Sequence, residues 1–189
     1  MTTIVTILTP GYADWETGLL NAAARSYYNV KTLFASPDGQ EVVSAGGMRV
    51  VPDLSVGDIN VNEIDAVVVN GGTIWSTPNA PDISDVLQRA RAAGKTVAGI
   101  CDGTRALAKA GLLDDVAHTS NGPENLPDTG YAGASLYLDQ PQAVLADRVV
   151  TAPGTAPVTF MGAVMESIGK RNGDLDFYID LYGAEHSKA

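Results

Sequence analysis

The sequence predicts an α/β open sandwich: a mostly parallel sheet with helices on both faces and a cysteine nucleophile elbow at one strand end. Three observations carry that prediction. Short β-branched apolar runs alternate with amphipathic stretches along most of the chain. The first three of these form a strand–helix–strand unit, and strands joined in that way belong to a parallel sheet. A later run passes straight into Gly99-Ile100-Cys101-Asp102-Gly103 and then into helical sequence, the form a chain takes when a nucleophile sits on a strand-to-helix turn. With 189 residues, 45% of them hydrophobic, the chain can bury one sizeable core and reads as one domain over 1–189.

Residues 4–8 are a β-branched run stopped by Pro10-Gly11. Trp15, Leu19, Leu20 and Ala23 follow at helical spacing, and a second strand covers 30–35. Ser36-Pro37-Asp38-Gly39 is a turn, after which 42–43 and 48–51 read as short extended segments off the main sheet. Residues 65–69 suit a central buried strand and end at Asn70-Gly71-Gly72. Between 82 and 93, Ile83, Val86, Leu87 and Ala90 share one helical face, and Gly94 stops the helix. Residues 96–100 are the elbow strand. The helix beyond it continues toward Leu113, with Gly111 weakening its end. The second half is less regular: 116–119 reads as a short strand, 121–127 as loop, and 143–145 with 148–151 as a hairpin. A helix spans 155–168 through Val158, Met161, Val164, Met165 and Ile168, and a last one at 174–181 puts Phe177, Tyr178 and Leu181 on one face.

Twelve basic against 22 acidic residues give a net charge of −10, which argues against nucleic acid or an anionic membrane as a partner. No stretch reaches about 18 consecutive apolar residues and no basic leader precedes the first strand, so a soluble, cytoplasmic protein is expected. The single cysteine excludes an internal disulfide and suits a reducing compartment. Neither glycine-rich nucleotide pattern occurs, and neither a cofactor nor a metal is expected.

Ligands of such sheets bind beyond the carboxyl ends of the strands, where three features converge. Cys101 is the first, a reactive thiol rather than a small buried core residue if the elbow places it at a helix N-terminus. The second is Gly71-Gly72, either a plain strand-exit turn or the source of an N–H that joins the Asp102 N–H in an oxyanion hole. The third is Glu16, within Tyr12-Ala13-Asp14-Trp15-Glu16. It is a charge partner for the start of its helix, or a buried, protonated acid beside the thiol. Trp15 and Trp75 either shape an apolar mouth or pack in the core or an interface.

These residues, with Ser44-Ala45-Gly46-Gly47, Val51-Pro52-Asp53, Leu112-Leu113, His118-Thr119-Ser120-Asn121 and Val150-Thr151-Ala152-Pro153-Gly154-Thr155-Ala156, make a pattern that resembles the ThiJ/PfpI superfamily. That superfamily includes the Parkinsonism-associated protein deglycase and has the flavodoxin-like, class I glutamine-amidotransferase-like fold. The combination resembles a bacterial subgroup described as amidotransferase- or protease-like. The resemblance implies Cys101 as nucleophile, Glu16 as its acid, and Gly72 with the Asp102 N–H as oxyanion hole. It also implies a pocket reaching Gly71, Trp75, Asn121 and Thr155, and a homodimer.

The family's histidine does not carry over, because its two places hold Asp102 and Asn121. His118 stands three residues too early and reads as an ordinary strand-edge residue, and His186 as a solvated tail residue. Without that base, peptidase and amidase chemistry are weakened. Addition of the Cys101 thiolate to a small electrophile remains: a 2-oxoaldehyde through a hemithioacetal, as in glyoxalase- or deglycase-like members, or an isonitrile through a thioimidate. In isonitrile hydratases a hydroxyl residue stands where this chain has Asp102. Asp102 then relays protons, binds a polar group, or caps the helix that follows. The competing readings are a redox-sensing, stress-protective protein oxidised at Cys101 to sulfinate, a glutamine-amidotransferase-like amidase, and a binding module with an inert thiol. The elbow and Glu16 together predict a thiol that titrates below about 8.5.

Overall fold

The computed structural model describes residues 1–184. The chain runs through β1 (Thr3–Ile7), α1 (Asp14–Tyr28), β2 (Lys31–Ser36), β3 (Val42–Val43), β4 (Arg49–Val50), β5 (Leu54–Ser55) and β6 (Ala66–Val69). It continues through α2 (Ser84–Ala92), β7 (Thr96–Ile100), α3 (Gly103–Lys109), β8 (Val144–Ala146), β9 (Val149–Ala152), α4 (Pro157–Ser167) and α5 (Gly173–Gly183). Seven strands form one sheet in the order β5-β2-β1-β6-β7-β9-β8. Pairing is parallel except between β8 and β9. The two short extended segments lie off the main sheet as the sequence predicts, and the structure pairs them as an antiparallel hairpin of β3 with β4.

Period-two alternation divides the strands between two core layers. Val5, Ile7, Val67, Val69 and Val97 pack with Leu87 of α2 and Leu107 of α3, while Ile4, Val68, Ala98, Ile100 and Val150 pack with Leu20 of α1, Phe160 of α4 and Leu175 of α5. Every residue of β1, β6 and β7 is buried, which is why these strands read as continuous apolar runs. The chain adds β2 on one side of β1 and later β6 on the other. The sheet therefore reverses its direction of growth at β1/β6, where the carboxyl ends leave a crevice.

Several boundaries differ from the sequence expectation, each for a local reason. Helix α3 stops at Lys109, with Gly111 at φ +73°. The Leu112 N–H reaches Leu107 O and the Gly111 N–H reaches Ala108 O, the paired bonds of a glycine-terminated helix end. The expected strand at 116–119 shrinks to one bridge between His118 and Tyr137. Asp147 and Arg148, at φ +45° and +61°, close the predicted β8–β9 hairpin in the left-handed conformation that such two-residue turns require. In α5 the inward residues are Leu175, Tyr178 and Ile179, so of the expected face Tyr178 packs on the core, whereas Phe177 and Leu181 are exposed. Gly162 of α4 admits Ile179, since a Cβ there would lie 2.6 Å from its Cδ1. Among the described residues, no helix is long and apolar enough to cross a membrane.

Candidate active site

Cys101 takes the elbow position between β7 and α3 at φ +56°, a strained backbone for a non-glycine residue, costing about 1–3 kcal/mol. The glycines on either side are needed because three backbones meet here. A Cβ on Gly103 would lie 2.5 Å from the Val69 carbonyl oxygen of β6, and one on Gly99 would lie 3.1 Å from the Gly103 carbonyl oxygen and 2.9 Å from Leu107 Cδ1. The turn is held from β9, where Ala152 O accepts the Cys101 N–H at 2.9 Å, and from α3, where Thr104 Oγ1 donates to Cys101 O at 2.6 Å.

Glu16 lies in the first turn of α1 and is fully buried. Its Oε2 accepts the Gly71 N–H at 2.7 Å, while Gly71 O accepts the Ala13 N–H at 3.1 Å, so the helix start and the β6 exit hold each other. Asn70 completes the junction. Its Nδ2 donates to Ala13 O and Gly71 O, its Oδ1 accepts from Thr17, and its carbonyl accepts the Trp75 indole N–H at 2.9 Å. Glu16 Oε1 is buried with no donor of its own. A Cβ on Gly154 would lie 2.9 Å from Cys101 Sγ and 3.1 Å from that Oε1, so sulfur and carboxyl share one face of Gly154.

Asn121 closes the other side. Its Nδ2 is 3.2 Å from Cys101 Sγ and 3.0 Å from Asp102 Oδ1, and its Oδ1 accepts the Gly154 N–H at 2.9 Å. The backbone donor fixes the amide's orientation and turns the NH2 toward the sulfur. The second oxygen of Asp102 accepts from Ser76 Oγ at 2.8 Å. Asp102 occupies the N-cap of α3 without a side-chain capping bond. The capping reading is thus replaced by a carboxylate held between Ser76 and Asn121, because loop partners reach it first.

Electrostatics reverse one sequence expectation. Burial raises the Glu16 carboxyl to about 7, against lowering by its Cys101 and Gly71 contacts, and the Asp102 charge adds to the rise. Cys101 is pushed up to about 12, by burial first and then by the Glu16 charge and contact, against lowering by Asn121 and the Asp102 N–H. A thiol titrating below 8.5 is therefore not what this geometry produces. Two anions cannot share so buried a site, so between these steps the pair holds one proton and titrates as a unit.

A measurement of alkylation rate against pH is expected to rise through about 7 in the wild type, as the pair falls from two protons to one and a thiolate–carboxylic acid tautomer becomes accessible. In Glu16→Gln that step disappears and the sulfur titrates as one group below its wild-type upper value, since the neighbouring charge is gone. Stability follows with a definite sign. The folded carboxyl sits above its unfolded value, so its contribution is fully present at acid pH and is lost as pH rises through about 7. Glu16→Gln is therefore expected to unfold at a higher temperature than wild type at pH 8, relative to pH 5.

Of the four expected pocket residues, Gly71 and Asn121 border the sulfur. A Cβ on Gly71 would lie 2.6 Å from Cys101 Cβ and 2.3 Å from Glu16 Oε2. Trp75 is buried and lines a separate cleft of about 410 Å3 with Arg105 and Lys109, and exposed Thr155 lines another of about 690 Å3 with Ile179 and Asp180. Trp15 is exposed. His118 is not at a strand edge. It is fully buried, donates from Nδ1 to Val116 O at 2.8 Å, and packs edge-on against Tyr131 and Tyr137. His186 lies outside the described residues. The sequence assigned no individual role to Asn70, Ser76 or Gly154. Gly154 follows a strand as Gly71 does and carried the same signal, but Ser76 has no local mark.

The DJ-1/PfpI family model matches residues 2–167. The chain belongs to the DJ-1/PfpI family. Among solved structures, a DJ-1 superfamily protein from Agrobacterium tumefaciens superposes with a TM-score of 0.94 at 40% identity, covering 99% of this chain and all of that one. The uncharacterized protease YdeA of Bacillus subtilis is 32% identical over 93% of this chain and 89% of its own length. A glutathione-independent glyoxalase of Caenorhabditis elegans is 30% identical over 67% of this chain and 68% of its own. Membership in the DJ-1/PfpI family accounts for the mostly parallel seven-stranded sheet and its helices.

Proposed function

We propose that this protein converts a small 2-oxoaldehyde to a 2-hydroxy acid through a covalent adduct on Cys101, without glutathione. The observation that carries the reading is the buried Glu16 carboxyl on the face of Gly154 that the sulfur shares, together with an amide, Asn121, rather than a histidine as the side chain donating to the sulfur. That is one proton carrier at one nucleophile. The glyoxalase among the relatives supports the substrate class.

In the first step the one proton of the pair sits on Glu16: the Cys101 thiolate attacks the aldehyde carbon, a C–S bond forms, and the carbonyl electron pair moves to oxygen, which takes the Glu16 proton. The N–H groups of Gly72 and Asp102 hold the developing charge. The Glu16 carboxylate then removes the proton from the same carbon while the electrons pass to the neighbouring ketone, and returns it at that second carbon as the hydroxyl proton of the first carbon moves to the former ketone oxygen, leaving a thioester of a 2-hydroxy acid. Water cleaves the thioester and frees Cys101. The sum is substrate plus water, with no external oxidant or reductant.

The test is lactate formation from methylglyoxal in glutathione-free buffer, lost in Cys101→Ser. Oxidation of Cys101 by peroxide to sulfinate, with no turnover of methylglyoxal or of an isonitrile, would replace this reading with the sensor one. A separate expectation concerns peptide bonds. Expelling an amine needs an acid at the leaving group, and Asn121, which stands on the sulfur, cannot supply a proton. Cleavage of casein or a fluorogenic peptide is expected to stay at background, and robust Cys101-dependent cleavage would show that another group fills that role.

A further inference from the structure

We propose that the Asp102 carboxylate selects substrate by charge: it turns anionic electrophiles, 2-oxo acids such as glyoxylate above all, away from Cys101 and leaves neutral 2-oxoaldehydes as the accepted class. The substrate names rest on the proposed function, but the charge filter does not. A 2-oxo acid and a 2-oxoaldehyde can present the same reacting carbonyl and differ in whether the neighbouring group is a carboxylate or a ketone. Charge is therefore the property by which this site can separate them.

The geometry makes the charge effective. Asp102 Oδ1 is one amide nitrogen away from the sulfur, through Asn121 Nδ2 at 3.0 and 3.2 Å. Both partners of the carboxylate, Asn121 and Ser76, are neutral, so they fix its position without cancelling it. Asp128 and Asp147, by contrast, are paired with Arg105 and Arg91. Arg105 is three residues along from Asp102, yet its guanidinium is committed to Trp75 O, Asn125 O and Asp128. Among the described residues, no lysine or arginine pairs with Asp102, and its charge helps hold the buried Glu16 carboxyl above its ordinary value. At about 6 Å and an effective dielectric of roughly 20 to 40, one such charge corresponds to about ten- to a hundredfold in rate.

Two alkylating probes test this without turnover. Iodoacetamide and iodoacetate share a leaving group and a reacting carbon and differ in charge, and the single cysteine gives one adduct readable by intact mass. Relative to the same ratio for 2-mercaptoethanol, wild type is expected to disfavour iodoacetate by at least about tenfold. Asp102→Asn and Asp102→Ser should each remove most of that preference, and raised ionic strength should narrow it in unmodified protein. A wild-type ratio equal to that of the model thiol, or one unchanged in both variants, overturns the proposal. A protein that alkylates with this preference but makes no lactate keeps the charge filter and loses the glyoxalase reading, so the two failures are distinguishable.

Discussion

Cys101→Ala is expected to lower methylglyoxal turnover by a factor on the order of a thousand or more, the scale seen when a covalent nucleophile is removed. The reason is chemical. No other side chain takes the sulfur's place at the face of Gly154, and Glu16 has no proton to exchange with a methyl group. Serine in the same place is not a partial remedy, because a hydroxyl is far harder to ionise than a thiol. Glu16→Ala should cost more than Asp102→Asn, since the first removes the proposed proton carrier and the second a charge held one contact further from the sulfur. Thermal unfolding separates catalysis from folding. Alanine keeps the left-handed backbone strain at φ +56° and loses only a half-buried thiol, so the midpoint should move by a few degrees at most. A Cys101→Ala protein with more than a tenth of wild-type turnover would remove the covalent mechanism.

A large loss of stability, about 3 kcal/mol, is expected from Gly103→Ala. Its new Cβ would stand 2.5 Å from Val69 O, 3.0 Å from Asn70 O and 3.1 Å from Val69 C. None of these is a side-chain end that can swing away, and all belong to the exit of a central strand whose residues are buried. Relief requires α3 to move off β6, and that would shift the elbow and the Asn70 junction together. Denaturant unfolding measures the loss. The control is Gly18→Ala on α1, where a Cβ meets nothing within 4 Å and alanine's better helix propensity predicts no loss. Equal stability of the two variants would show that the elbow accommodates a methyl group.

The sequence carried the alternation of strands and helices, the parallel sheet and the elbow in legible form. Each of these depends on short-range signals: apolar periodicity, turn residues, and glycines two positions either side of a cysteine. It also marked Glu16 and Gly71-Gly72 as loop or helix-start residues at the carboxyl ends of strands, where ligands bind. What those groups do to one another depends on contacts between distant segments. Glu16 and Cys101 are 85 positions apart along the chain, and their ionisation depends on burial and on neighbours from four separate segments, so the expected low thiol value gave way to a shared proton. Asp102 carried a capping signature, but its carboxylate went to Ser76 and Asn121 because two distant loops close over it. His118 looked like an edge residue and is buried among tyrosines for the same reason. Local pattern reports which face of an element is apolar, whereas the partner of a polar side chain is set by which loops the sheet order brings together.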